Sequence, residues 1–105
     1  MKQLADDTIN LLAQSLSKTS YWKQCTKIIN SLYEQREQSF TELRATTKLS
    51  YTICREALLL LQGACFVDFE IEGRKSIYRL SYSGHRLFEL HQILTNNKNQ
   101  TKKGA

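Results

Sequence analysis

Two short stretches hold most of the residues able to do chemistry. In "TTKLSYTICR", Thr46, Thr47, Lys48, Ser50, Tyr51, Thr52 and Arg55 place five hydroxyls and two cations within ten positions. In "EIEGRKSIYRL", residues 70–80, Arg74 and Lys75 follow Gly73 between two alternating runs. Hydroxyls, backbone N–H groups and cations are the groups that hold a phosphate oxygen. Taken singly, each residue has a plainer reading. Thr46 and Thr47 end a helix, Arg55 and Glu56 form a solvated face, and charge keeps a hairpin tip soluble.

Covalent chemistry is not expected. The chain has no glycine-rich phosphate loop and no evident nucleophile–base set. His85 and His91 lie six apart, so a helix would not stack them as metal ligands. Cys25, Cys54 and Cys65 are widely spaced, with no C-x-x-C. They suit a reducing compartment rather than a disulfide framework or zinc site. The expectation is a protein that is not an enzyme and has no metal or cofactor.

At 105 residues and 41% hydrophobic, the chain is expected to form one domain with a small core. The net charge of +5 suggests an anionic partner. The last ten residues, "NNKNQTKKGA", hold three lysines and no acid; without them, 12 basic residues face 10 acidic ones. Charge alone therefore argues weakly, and residues 96–105 are expected to be a disordered basic tail. No apolar run approaches the roughly 20 residues of a membrane span. "MKQLADDTINLL" has two aspartates where a secretory signal needs an apolar stretch. A cytoplasmic protein is the expectation.

The elements that must position these residues follow from periodicity. Ala5, Ile9, Leu12 and Leu16, widened by Leu4 and Leu11, predict a helix over about 3–16. "SKTS" breaks it and offers Ser20 as the next N-cap. Trp22, Cys25, Ile28, Ile29 and Leu32 predict a second helix over about 21–35. A short helix starts near Phe40, capped by Thr41 or by a Ser39/Glu42 capping box. Ser50 caps a helix over about 50–62, with Cys54, Leu58 and Leu61 facing inward. Leu58–Leu61 wrap that helix all round, so Leu59 or Leu60 must meet something else, such as the first helix or a second subunit. After Gly63 the period becomes 2. Val67, Phe69 and Ile71, then Tyr78 and Leu80, predict the inner face of an antiparallel hairpin turning at 72–75. Ser81 or Ser83 caps a last helix over about 82–94, with Leu87, Leu90, Leu94 and Phe88 on its apolar side. The class is mainly α with a small β-hairpin (α+β).

"FTELRATTKLSYTICREALLLL" resembles a helix–turn–recognition-helix pair, and "FVDFEIEGRKSIYRLSYSGHRLFEL" a wing and the helix after it. Over about residues 23–94 the chain resembles winged helix-turn-helix DNA-binding proteins, in flavour the small MarR/PadR/ArsR-type bacterial or archaeal regulators. One departure stands out: Cys65 occupies the place where that pattern usually has a glycine before the first wing strand.

The resemblance implies a fold with additional N- and C-terminal helices: an N-terminal dimerisation helix (1–17), the winged domain with its C-terminal helix (18–95), and the tail. It implies a sequence-specific, double-stranded DNA-binding transcriptional regulator that is nucleoid-associated and occludes or recruits polymerase. Ser50, Tyr51, Thr52 and Arg55 would enter the major groove, Arg55 suiting a guanine edge. Thr46, Thr47 and Lys48 would hold phosphate, and Arg74 and Lys75 the adjacent backbone or minor groove. Glu70 and Glu72 would confine wing contact to the tip, with Arg79 as a rim contact. A homodimer is expected through Ile9, Leu12, Leu16, Leu87, Leu90 and Leu94. No residue cluster marks a small-molecule effector site. Two other readings share the fold: a protein–protein interaction module, and a thiol redox sensor for which Cys65 is the best candidate.

Overall fold

The computed structural model of the chain describes residues 4–90. Helix α1 spans Asp6–Ser17 and α2 spans Trp22–Glu34. A two-residue strand β1, Gln38–Ser39, leads into α3, Phe40–Thr47, and then α4, Tyr51–Gly63. Strands β2, Val67–Glu72, and β3, Lys75–Leu80, form the hairpin. A fifth helix, α5, covers residues 82–90.

Local sequence sets most of the helix ends. Ser39 and Glu42 form the capping box: Ser39 Oγ accepts from the Glu42 N–H, and Glu42 Oε1 from the Ser39 N–H at 2.8 Å. Thr41 is thereby inside α3. Ser50 Oγ accepts from the Ile53 N–H and starts α4. Ser81, not Ser83, caps α5, its Oγ accepting from the Gly84 N–H at 3.1 Å. Gly84 has no substitute here, because a Cβ would collide with the Phe66 carbonyl. At α2 the expectation fails: Tyr21 is the cap residue, and no side chain caps the helix. Helix α1 starts later than its apolar stripe, at Asp6 and Asp7, where two carboxylates complement the N-terminal dipole.

The exit from α4 is a Schellman motif without its glycine. The Phe66 N–H bonds the Leu61 carbonyl and the Cys65 N–H bonds that of Gln62. Cys65 takes the left-handed conformation this needs, at φ 66°.

Helix α2 is the hub, packing on α1, α3, α4 and β3. Cys25, Ile28, Ile29 and Leu32 from α2 meet Leu43 of α3 and Cys54, Ala57, Leu58 and Leu61 of α4, all buried. Ile9 and Leu16 of α1 and Leu87 of α5 join the same core. These three were expected at a subunit interface, but within one chain they are 0%, 7% and 3% exposed. That correction is one of partner: both end helices turn their stripes onto their own domain. Arg86 pairs with Asp6, and Tyr33 of α2 stacks on Phe88 of α5. Leu12 and Leu90 stay half-buried, and Leu11 is exposed. Leu94, His91 and the tail lie outside the described residues.

The sheet has the order β1-β3-β2 and is antiparallel. Strand β1 was not expected, because "REQS" carries no apolar signal. Its Gln38 is buried all the same, opposite Tyr78. Gln38 Nε2 donates to the Ser31 carbonyl and Oγ, and its Oε1 lies 3.0 Å from Thr46 Oγ1. One side chain thus ties α2, β1 and α3 together.

Glu72 pairs with Lys75, leaving Gly73 and Arg74 as a two-residue turn in which Gly73 supplies a positive φ. The hairpin's inner face was expected to be core throughout. Val67 and Leu80 are buried and Tyr78 is half-buried, but Phe69 and Ile71 are 48% and 68% exposed. Strand β2 is the free edge of the sheet, so its inner face loses contact with the helices towards the tip.

Candidate nucleic-acid interface

Helices α3 and α4 are separated only by Lys48, Leu49 and Ser50. Lys48 turns the chain at φ 60°, its N–H on the Arg44 carbonyl at 2.7 Å. Arg44 also reaches over the turn, with Nε 3.4 Å from the Leu49 carbonyl and its guanidinium 5.8 Å from the Tyr51 ring centroid. The Phe40 ring meets Tyr51 edge-on at 5.1 Å. The first residue of α4 is therefore held by two side chains one turn apart on the same face of α3. Neither Arg44 nor Phe40 stood out in the sequence, since their contact with Tyr51 crosses the turn and follows no helical period.

The exposed face of α4 carries Tyr51, Thr52, Arg55, Glu56 and Leu59. Between α3, the start of α4 and the hairpin lies an open cleft of about 570 Å³, bordered by Glu42, Tyr51, Arg55, Arg74, Lys75 and Tyr78. The cleft brings together cations that are about twenty positions apart in the chain. Among the described residues, no ion pair engages Lys48, Arg55, Arg74 or Lys75. Glu42 is the acid of this cleft. The Ser39 backbone N–H and then the Ser39 hydroxyl hold its carboxyl below the usual range against the opposing effect of desolvation, with the charge of Lys75 the least of the causes.

The expected site residues divide by exposure. Thr46, Lys48, Ser50, Tyr51, Thr52, Arg55, Arg74 and Lys75 are exposed. The Thr46 hydroxyl is shared between Gln38 Oε1 and the Glu42 carbonyl. Thr47 is a correction: it is buried, and its Oγ1 donates to the Leu43 carbonyl at 2.6 Å. A hydroxyl four residues above a helical carbonyl satisfies itself there, so Thr47 is not available to a surface ligand. Arg79 is likewise engaged, bridging Glu37 at 2.8 Å and Glu70 at 2.7 Å on the outer face of the sheet.

The cysteines separate as their positions suggested. Cys25 and Cys54 are buried, and burial pushes the Cys25 thiol up to about 11 and the Cys54 thiol upward, against the charge of Arg44. Cys65 is exposed. Among the described residues, no cluster of His, Cys, Asp or Glu has the grouping of a metal site, and no helix is long and apolar enough to cross a membrane.

No family model and no curated protein matches the chain. Solved structures do. The homodimeric winged helix-turn-helix DNA-binding domain of Mb0332 from Mycobacterium bovis, described as a possible ArsR-family transcriptional regulator, superposes at TM-score 0.72 and 19% identity, over 96% of this chain and 95% of that fragment. MepR, which regulates the multidrug efflux pump MepA of Staphylococcus aureus, superposes at TM-score 0.75 and 15% identity, over 93% of this chain and 75% of its own. A cysteine-to-serine variant of MarR from E. coli, solved with operator DNA, gives 0.69 and 18%, over 91% and 69%. The chain has the winged helix-turn-helix fold of the MarR- and ArsR-type regulators.

Proposed function

We propose that this protein is a sequence-specific, double-stranded DNA-binding transcriptional regulator that acts as a homodimer. One observation carries the reading: the exposed start of α4 and the hairpin tip border one cleft, with Arg55, Arg74 and Lys75 directed to the same surface. A B-DNA major groove admits one α-helix, and the residues at its N-terminal end reach base edges. In this reading Ser50, Tyr51, Thr52 and Arg55 enter the groove. Thr46 and Lys48 meet phosphates at the turn, and Arg74 and Lys75 grip the flanking backbone or minor groove. Lysines 98, 102 and 103 of the terminal segment add sequence-independent attraction. The winged fold shared with a MarR protein solved on its operator supports the reading.

The dimer rests on what the end helices leave wholly or partly uncovered: exposed Leu11 and half-buried Leu12 and Leu90, with Leu94 continuing the α5 stripe in sequence. A two-fold pair would present two recognition helices about one turn of DNA apart. The M. bovis domain is described as homodimeric, which supports the same arrangement.

Selection of bound DNA from a random pool tests the whole reading. The expected result is a palindromic sequence with half-sites about 10 base pairs apart. A pool that shows no enrichment overturns DNA recognition; enrichment of a single half-site overturns the dimer. One observation favours a second reading, a protein-interaction module: Phe69 and Ile71 are large apolar residues exposed on the hairpin. Under it, the random pool gives no enrichment.

A further inference from the structure

The four consecutive leucines of α4 meet three different surroundings. Leu58 and Leu61 are in the core. Leu60 packs against the core edge, beside the α1–α2 connection. Leu59 is 50% exposed and forms the rim of an open groove shared with Tyr21, Glu56 and Leu60. A single exposed leucine is ordinary on a protein surface. The position of this one is not.

At 3.6 residues per turn, Leu59 lies about 20° around the helix from Thr52 and about 40° from Arg55. It is therefore in the middle of the face that carries the recognition residues, opposite the buried line of Cys54, Ala57, Leu58 and Leu61. Thr52, Arg55 and Glu56 on that face can all exchange hydrogen bonds with base edges. Leu59 cannot, and against a groove edge lined only with polar groups it would strip water from those groups without replacing their hydrogen bonds. The apolar group that base edges present in the major groove is the thymine C5-methyl. Leu59 stands about 6 Å further along the helix than Arg55, a distance of about two base-pair steps.

We propose that Leu59 is a specificity-determining residue that packs on a thymine methyl one or two base pairs from the base read by Arg55. The assignment rests on the DNA-binding reading above. It predicts a thymine at a fixed offset from a guanine in each half-site.

Uracil is thymine without that methyl, so the test needs no change to the protein. Each thymine of the selected site is replaced in turn by deoxyuridine, and the dissociation constant of the full chain is measured. One position is expected to weaken by about four-fold, the effect of one buried methyl group. Leu59→Ala is expected to bind the thymine and uracil forms of that position equally. Alanine on an exposed helix face keeps the fold, and circular dichroism verifies it. Uniform tolerance of uracil overturns the assignment, as does a Leu59→Ala protein that still prefers thymine at that position. In both cases the DNA-binding reading stands. A protein that enriches no sequence overturns that reading and this one together.

Discussion

Arg86 holds Asp6 across eighty positions of chain, with Nε 2.9 Å from Oδ1 and Nη2 2.8 Å from Oδ2. The planar fork joins the start of α1 to α5, the two helices that close the domain. The Arg86 hydrogen bonds, against some desolvation and with the Arg86 charge adding least, hold the Asp6 carboxyl below its ordinary value. A carboxylate with a depressed folded pKa stabilises above its unfolded pKa, and that stabilisation is lost as pH falls through the folded value. Asp6→Asn should therefore unfold at a lower temperature than the wild type at neutral pH. The difference should shrink from about pH 4 downward, near the ordinary aspartate pKa. Thermal unfolding of both proteins between pH 3 and 7 measures this, and a difference independent of pH would contradict it.

Cys65→Gly should stabilise the fold by about 1 kcal/mol, because the left-handed conformation costs a side chain roughly that much and glycine little. The Schellman hydrogen bonds of Cys65 and Phe66 are backbone bonds, and the substitution keeps them. Denaturant unfolding should give a higher midpoint with an unchanged slope.

Gln38→Ala should destabilise by about 1–3 kcal/mol, the cost of leaving buried polar groups unpaired. It strands the hydroxyl of buried Ser31, takes one of two donors from the Ser31 carbonyl, which keeps the Gln35 N–H, and removes an acceptor from Thr46. Thr46→Val, which loses only the outer contact, should cost less. Equal losses from the two substitutions would show that the interior bonds to Ser31 add nothing.

In native protein one thiol, that of Cys65, should react with a disulfide reagent at neutral pH. Cys25 and Cys54 should react only after denaturation, since burial disfavours their thiolates. Counting released chromophore with and without denaturant checks it; a second reactive thiol in the native state would place Cys25 or Cys54 nearer solvent. Loss of DNA binding after peroxide, abolished by Cys65→Ser, would favour a redox-sensing regulator.

On DNA, Arg74→Ala should lower the slope of log affinity against log salt by about 0.9, the loss of one phosphate contact. Arg55→Ala should cost about 1–3 kcal/mol and relax the preference at one base position. Arg79→Ala should leave the slope unchanged, because Glu37 and Glu70 already engage that guanidinium. A slope change with Arg79→Ala equal to that of Arg74→Ala would move the contact surface to the outer face of the hairpin.

What the sequence determined by itself is what neighbouring residues decide among themselves. Ser50 can cap only the helix that follows it, and the caps of α3 and α5 narrow to Ser39 or Thr41 and to Ser81 or Ser83. Cys25, Ile28, Ile29 and Leu32 fall on one stripe whatever they face. Gly73 marks the tip of the hairpin because a two-residue turn needs a positive φ, which glycine adopts at little cost. These signals also place Arg74 and Lys75 at the tip and Tyr51, Thr52 and Arg55 at a helix start. Periodicity says that a face is apolar but not what covers it. Only the tertiary structure decided that Ile9, Leu16 and Leu87 meet their own core, while Phe69 and Ile71, in as regular a pattern, stand exposed at the sheet edge. Polar residues are harder still to read, because their burial depends on partners distant in sequence. Gln38 is interior because Ser31 and Thr46 satisfy its amide. Arg79 is tied down because Glu37 and Glu70 converge on it, and Thr47 turns inward while Thr46 beside it does not. The cleft between α4 and the hairpin is of the same kind: each cation was visible in the chain, and their meeting on one surface is a property of the fold.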